Sequence, residues 1–227
     1  MNDLRFRPAT DGDLAALVRL RDDAARWMLS RDVTGQWRPG ELDEEHFRRV
    51  TARGGEVWLA TAGERLAGAW ELWWKDEEAW GPQPPVAGYV HRLMVDRRTA
   101  LPGTGRLLLR AAEERVAAVG RNLVRLDCLA GNARLTAYYV GNGYRVVGRK
   151  DGKPQPGGAP KSFTLLEEVA AGGRRGVTAR PSGRPGPEAG GAGRPRPRRV
   201  PPCPGGTGPS SGAAGGRPVH QRGTLFS

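Results

Sequence analysis

Cysteine is nearly absent from this chain: two in 227 residues, Cys128 and Cys203. Neither a disulfide framework nor a paired-thiol metal spacing can be assembled from them, and no metal is expected. No apolar run reaches the ~18 residues of a membrane helix. The opening MNDLRFRPATDGD is polar and charged, which speaks against a secretory signal. The expectation is a soluble cytoplasmic protein with no membrane partner. Aromatics are scarce in the last quarter: all seven Trp and all four Tyr precede residue 171, which leaves Phe226. Acids are scarce there too. Residues 171–227 hold ten Arg and one acid, 10 − 1 = +9 of the net +12, whereas residues 1–170 hold 26 basic and 23 acidic residues, +3.

Gly, Pro, Arg and Ala make up 41 of the 57 residues from 171 to 227, a composition with little to bury. This segment reads as a disordered tail. It is either a solvated extension, a basic arm that touches RNA or an acidic surface, or the product of an out-of-frame reading of GC-rich DNA. Because the charge is confined to the tail, pI is no argument for nucleic-acid binding by the rest, and that partner is expected only weakly and through the tail. The domain boundaries are therefore 1–170 and 171–227.

Within 1–170 the hydrophobic periods alternate between two and about 3.6. LRFRPA (4–9) suits a short strand. TDGDLAALVRLRDDAARWMLS opens with cap residues and puts Leu14, Leu17, Val18, Ala25 and Met28 on one helical face. Residues 40–54 read as a second, more polar helix. EVWLATAG and RLAGAWELWWK are strands, DEEAWGPQPP a loop, and AGYVHRLMVD a further strand. GTGRLLLRAAEERVAAVG (103–120) carries the clearest apolar stripe and ends at Gly120. A strand over 123–130, a short helix over 132–143 and two final strands complete a mixed α/β domain.

Two stretches carry chemistry. In VDRRTALPGTGRLLLRAAEE (95–114) two glycines precede a helix, where unpaired amides and the positive end of the dipole suit an anion, most often phosphate. By itself such a turn is also an ordinary strand–helix connection. NARLTAYYVGNGY (132–144) places Asn132 and Tyr139 seven residues apart, two turns along one helical face.

Together these stretches resemble the GNAT superfamily of N-acetyltransferases over roughly residues 4–169. The family's Arg/Gln-x-x-Gly-x-Gly/Ala is matched by Gly103 and Gly105, eight and ten residues beyond Val95. Ala100 stands at the Arg/Gln position, and Pro102 removes one amide from the loop. The Asn-x-x-Ala-x-x-x-Tyr-x-x-x-Gly-Phe pattern is matched by Asn132, Tyr139 and Gly143, with Tyr144 for Phe and Leu135 for the small residue.

The resemblance implies a central mixed, mostly antiparallel sheet of about six or seven strands flanked by about four helices. It also implies acetyl-CoA as acyl donor and direct attack by an amine in a ternary complex. The diphosphate falls to the turn Leu101, Gly103, Thr104, Gly105 and Arg106. Asn132 is expected at the pantetheine arm, or simply as a helix cap, and Leu93, Met94 and Val95 flank the thioester through their main chains. Tyr139 is the candidate general acid, its phenol a donor at neutral pH. His91, expected on one sheet face with Tyr89, Leu93 and Val95, is a candidate base or a structural histidine. Glu71 is an alternative base or amine anchor, or a solvated strand residue. Cys128 reads as a small buried residue. Trp70, Trp73, Trp74 and Trp80 with Asp76, Glu77 and Glu78 suit a small-molecule or peptide amine through cation–π contacts, or equally a homodimer interface or a core edge. Trp27 and Trp37 are further candidates for the acceptor site. A non-catalytic acyl-CoA-binding or interaction module remains the alternative to an enzyme, given Ala100 and Pro102, and an RNA-associated protein acting through the tail is a third.

Overall fold

Strand pairing starts at the N-terminus, where β1 (Leu4–Pro8) lies antiparallel to β2 (Glu56–Ala62). The computed structural model describes residues 4–170 apart from 34, 156 and 157; the 171–227 tail lies outside the described residues. Between β1 and β2 run α1 (Leu14–Leu29) and α2 (Glu44–Ala52). In α1 the positions Leu14, Leu17, Leu20, Arg21 and Ala25 are buried, a single helical face. Helix α2 starts later than the expected residue 40, because the Asp43 carboxylate accepts from the His46 N–H at 3.0 Å and caps it there.

β3 (Arg65–Trp73) leads to a one-turn helix α3 (Glu77–Trp80) inside the segment read as loop. Asp76 makes it, accepting from the Ala79 N–H at 3.2 Å. Then come β4 (Ala87–Val95), α4 (Thr104–Ala118), β5 (Leu123–Leu129), α5 (Ala133–Gly141), β6 (Arg145–Gln155) and β7 (Gly158–Val169). The seven strands form one sheet in the order β1-β2-β3-β4-β5-β7-β6, and β4–β5 is the one parallel pair among the described residues. Among the described residues, no helix is long and apolar enough to cross a membrane.

Two cores cover the two faces of the sheet. On one, Leu108, Leu109, Ala112 and Val116 of α4 meet Trp70, Leu72, Val90 and Leu126. On the other, Leu14, Leu17, Phe47 and Val50 of α1 and α2 meet Val57, Leu59, Ala69 and Met94. Each fully buried Leu contributes roughly 2 kcal/mol of transfer free energy.

Strand β4 departs from regularity twice. Between the pairs Ala69↔Met94 and Glu71↔His91, β3 advances two residues and β4 three. The surplus residue is a β-bulge at Arg92, whose φ of 47° is left-handed. The bulge changes the alternation: Leu93 and Val95 join the α4 side with Val90, while His91 lies opposite Glu71, which reaches α2. The expectation that His91 shares a face with Leu93 and Val95 is therefore corrected. In addition, the β4–β5 pairing ends at Val90↔Leu126, although β5 continues beside β7 to Leu129. Beyond Val90 the two parallel strands part, and the edge of β4 that faced β5 has no strand beside it among the described residues.

Candidate active site

The parting of β4 and β5 opens into a cleft of about 980 Å³. Leu93, Met94 and Val95 line it on one side, Cys128, Leu129, Asn132 and Tyr139 on the other. The N-terminus of α4 meets it through Gly105. Gly103, the N-cap, has φ 88°, which a residue with a Cβ adopts only under strain. The N–H groups of Gly103 and Gly105 donate to nothing among the described residues. Thr104 differs from expectation: its N–H and hydroxyl both donate to the Leu101 carbonyl, at 3.1 and 2.8 Å, so it builds the turn and keeps no donor for a ligand. Leu101, Gly103, Thr104 and Arg106 do not line the cleft among the described residues, and Leu101 is exposed on the outside.

Gly105 is needed for space. A methyl built on it would lie 2.6 Å from the Tyr138 hydroxyl. Tyr138 thus lines the cleft beside the turn, with Arg97 and Arg134 as further cationic walls. Ala100 brings no side-chain donor to this end of the cleft, where the cationic side chains are Arg97 and Arg134.

Tyr139 is 9% exposed and packs edge-on to Tyr138 and Tyr144, with centroids 5.5 and 6.0 Å away. Burial, with smaller contributions from Cys128, Tyr138 and Asp127, raises its phenol above the usual range, so it stays a proton donor at any ordinary pH. Asn132 caps α5, its side-chain oxygen accepting from the Leu135 N–H at 3.0 Å. Cys128 is buried against Thr136, and burial raises its thiol too.

On the α1/α2 side of the cleft stand two histidine–carboxylate pairs. His91 Nε2 lies 3.0 Å from Asp76 Oδ2. His46 Nε2 lies 2.8 Å from Glu71 Oε1, and Glu71 Oε2 accepts from Arg92 at 2.8 Å and from Trp73 Nε1 at 3.2 Å. Glu71 has no exposed surface and lines no part of the cleft. Burial alone would raise its carboxyl; the Arg92 charge, the His46 hydrogen bond and the His46 and His91 charges bring it down to about 2. Such a carboxylate is neither a solvated strand residue nor accessible to an incoming ammonium, and it anchors the bulge instead.

Of the readings left open for the tryptophans, the core edge fits Trp70, and Trp27 and Trp37 do line the cleft. Trp70 is fully buried, Trp74 lies under Arg121 at 4.9 Å and Trp80 under Arg125 at 4.8 Å. Trp27 and Trp37 line the cleft but carry Arg97 and Arg21 at 4.2 and 4.4 Å. An arginine therefore already lies over one face of Trp27, Trp37, Trp74 and Trp80. Trp73 lines the cleft, edge-on to His91 at 6.5 Å, with no arginine over it among the described residues.

Several cleft residues had no role in the sequence reading: His46, Arg134, Asp127 and Lys153, the last two paired at 3.0 Å. A basic residue in the first turn of α5 was a usable signal for Arg134; nothing local pointed to His46.

A mixed sheet opening at its parallel pair, over a glycine turn at a helix N-terminus, defines a cleft-binding α/β class, and comparison supplies the family. The profile of the Acetyltransferase (GNAT) family matches residues 20–144. The uncharacterized N-acetyltransferase YesJ of Bacillus subtilis (strain 168) is 30% identical over 150 residues, 62% of this chain and 81% of its own length. A GNAT-family acetyltransferase from Listeria monocytogenes superposes with a TM-score of 0.57 at 25% identity, covering 73% of this chain and 94% of that one. The acetyltransferase yncA from Salmonella typhimurium, solved with acetyl-CoA, gives 0.54 at 15% identity, covering 74% and 95%. A ribosomal-protein-alanine N-acetyltransferase from Brucella melitensis gives 0.55 at 19%, covering 73% and 99%. The chain belongs to the GNAT family of acetyltransferases.

Proposed function

We propose that this chain is an acetyl-CoA-dependent N-acetyltransferase that acetylates a primary amine of a small molecule or peptide within a ternary complex. The observation that carries the reading is the opened β4–β5 seam, which runs from Gly105 at the start of α4 to a wall holding Tyr139. The fit to the donor is favourable despite Pro102. Two unpartnered amides at a helix N-terminus and the cleft arginines Arg97 and Arg134 suit a diphosphate. The acetyl-CoA in the Salmonella structure supports the same donor.

Acetyl-CoA supplies an activated acyl thioester. The chain's own residues do the rest. The open edge of β4 at Leu93–Val95 offers main-chain groups to the bound arm and to the developing oxyanion. Asn132 holds the start of α5 against the cleft. Tyr139 donates a proton to the departing sulfur, and His91 takes one from the acceptor ammonium. The acceptor's identity rests with the α1/α2 side of the cleft, since one fold serves many acceptors.

Calorimetric titration of acetyl-CoA and CoA into the full chain, then free-CoA release with a panel of primary amines, tests the reading. Micromolar binding and amine-dependent CoA release are expected. A folded protein that binds neither nucleotide would refute it, and binding without release for any amine would leave an acyl-CoA-binding module.

A further inference from the structure

Both carboxylate oxygens of Asp76 are committed. Oδ1 accepts from the Ala79 N–H at 3.2 Å, which starts α3, and Oδ2 lies 3.0 Å from His91 Nε2. The carboxylate is thereby fixed in orientation, and its side chain is 9% exposed. The other ring nitrogen of His91, Nδ1, has no partner among the described residues and is not sealed from solvent, and His91 lines the cleft.

We infer that Asp76 is the positioning residue of this site: by accepting from Nε2 it fixes His91 as the Nε2–H tautomer and leaves Nδ1 as the basic nitrogen open to the cleft. A carboxylate is acceptor-only, so the proton between the pair belongs to the imidazole. When the acceptor ammonium gives its proton to Nδ1, the amine becomes neutral and the ring becomes imidazolium. Nε2–H stays on Asp76, whose negative charge compensates the new positive one.

The surroundings keep Asp76 ionised. Burial opposes its charge, but the His91 hydrogen bond and the charges of His91 and Lys153 outweigh burial and hold the carboxyl below its ordinary value. Lys153 reaches in from β6 and is paired with Asp127 of β5. From β3, Glu71 faces His91 with its charge taken up by Arg92 and His46. Lys75 and Glu77 flank Asp76 at the exposed rim.

The base role of His91 rests on the proposed function; the tautomer does not, so the two are tested separately. Long-range nitrogen–proton NMR of the full chain at alkaline pH, with His91→Gln to assign the ring, reads the tautomer directly. The expected pattern is a protonated Nε2 and a bare Nδ1. Asp76→Asn is the decisive variant. Its carbonyl oxygen must still cap Ala79, which leaves the amide NH₂ facing Nε2, so the ring flips to Nδ1–H. Asp76→Glu keeps an acceptor and retains the wild-type pattern, and it serves if the Asn variant does not fold. In kinetics with acetyl-CoA and the responsive amine, Asp76→Asn should lose roughly 10²-fold in kcat/KM, the general-base contribution. CoA affinity should stay unchanged, with most of the rate recovered by Asp76→Glu. A wild-type ring protonated on Nδ1, or a tautomer indifferent to Asp76→Asn, overturns the inference. A tautomer that flips while neither Asp76→Asn nor His91→Gln slows turnover upholds the positioning by Asp76 and overturns the base role of His91.

Discussion

Replacing Glu71 by Gln removes one negative charge from the middle of the domain and leaves its shape almost unchanged. In the native protein the charge is held by Arg92 and His46 with Trp73 Nε1 alongside, and the side chain has no exposed surface. A carboxyl that falls from the usual 4.5 to about 2 on folding contributes about 3 kcal/mol at neutral pH. The sign is that of a depressed acid. The contribution is complete above the unfolded value of 4.5 and is lost as pH falls through about 2. The Gln variant lacks it at every pH and also leaves the buried ends of Arg92 and His46 without an anion. Urea unfolding of wild type and variant, compared at pH 7 and at successively lower pH, is the assay. The stability gap should be about 3 kcal/mol at neutral pH and should close through the acid range as the wild-type carboxyl takes up its proton. A gap that is the same at pH 7 and near pH 2 would refute the electrostatic account and leave only a packing defect.

Tyr139→Phe should lower kcat at least about tenfold at neutral pH with little change in acetyl-CoA affinity; unchanged turnover removes Tyr139 as the acid. Gly105→Ala places a methyl against the Tyr138 hydroxyl at 2.6 Å, and with alanine's better helix propensity offsetting part of the clash it should cost up to about 1 kcal/mol in thermal unfolding. Adding Tyr138→Phe should recover much of that loss, and a double variant no better than the single one contradicts the proposed clash. Arg134→Ala should weaken CoA binding several-fold and flatten its salt dependence, read by calorimetry at two ionic strengths. Wild-type affinity in the variant at both ionic strengths would show that α5 contributes no charge to the phosphates.

Much of this architecture is local and therefore legible. The stripe Leu108, Leu109, Ala112 and Val116 declares α4, and the spacing from Asn132 to Tyr144 declares α5 and the strand after it. What was not legible depends on neighbours distant in sequence. Glu71 sits at an alternation position that reads as solvated until α2 supplies His46 from 25 residues earlier. The tryptophans look available as a cluster until arginines from other elements settle on their faces. The bulge at Arg92 leaves no mark either. A glycine there would have betrayed the left-handed φ, but an arginine held by a buried carboxylate reaches it instead.

That one surplus residue has a consequence for traffic. It turns His91 toward the α1/α2 chamber while Leu93 and Val95 still face α4, so a single strand serves rooms on opposite sides of one wall. The doorway between the rooms is the gap where β5 leaves β4. Under the proposed function, a donor held at the α4 turn and an acceptor held beside α2 would reach one cleft from its two ends.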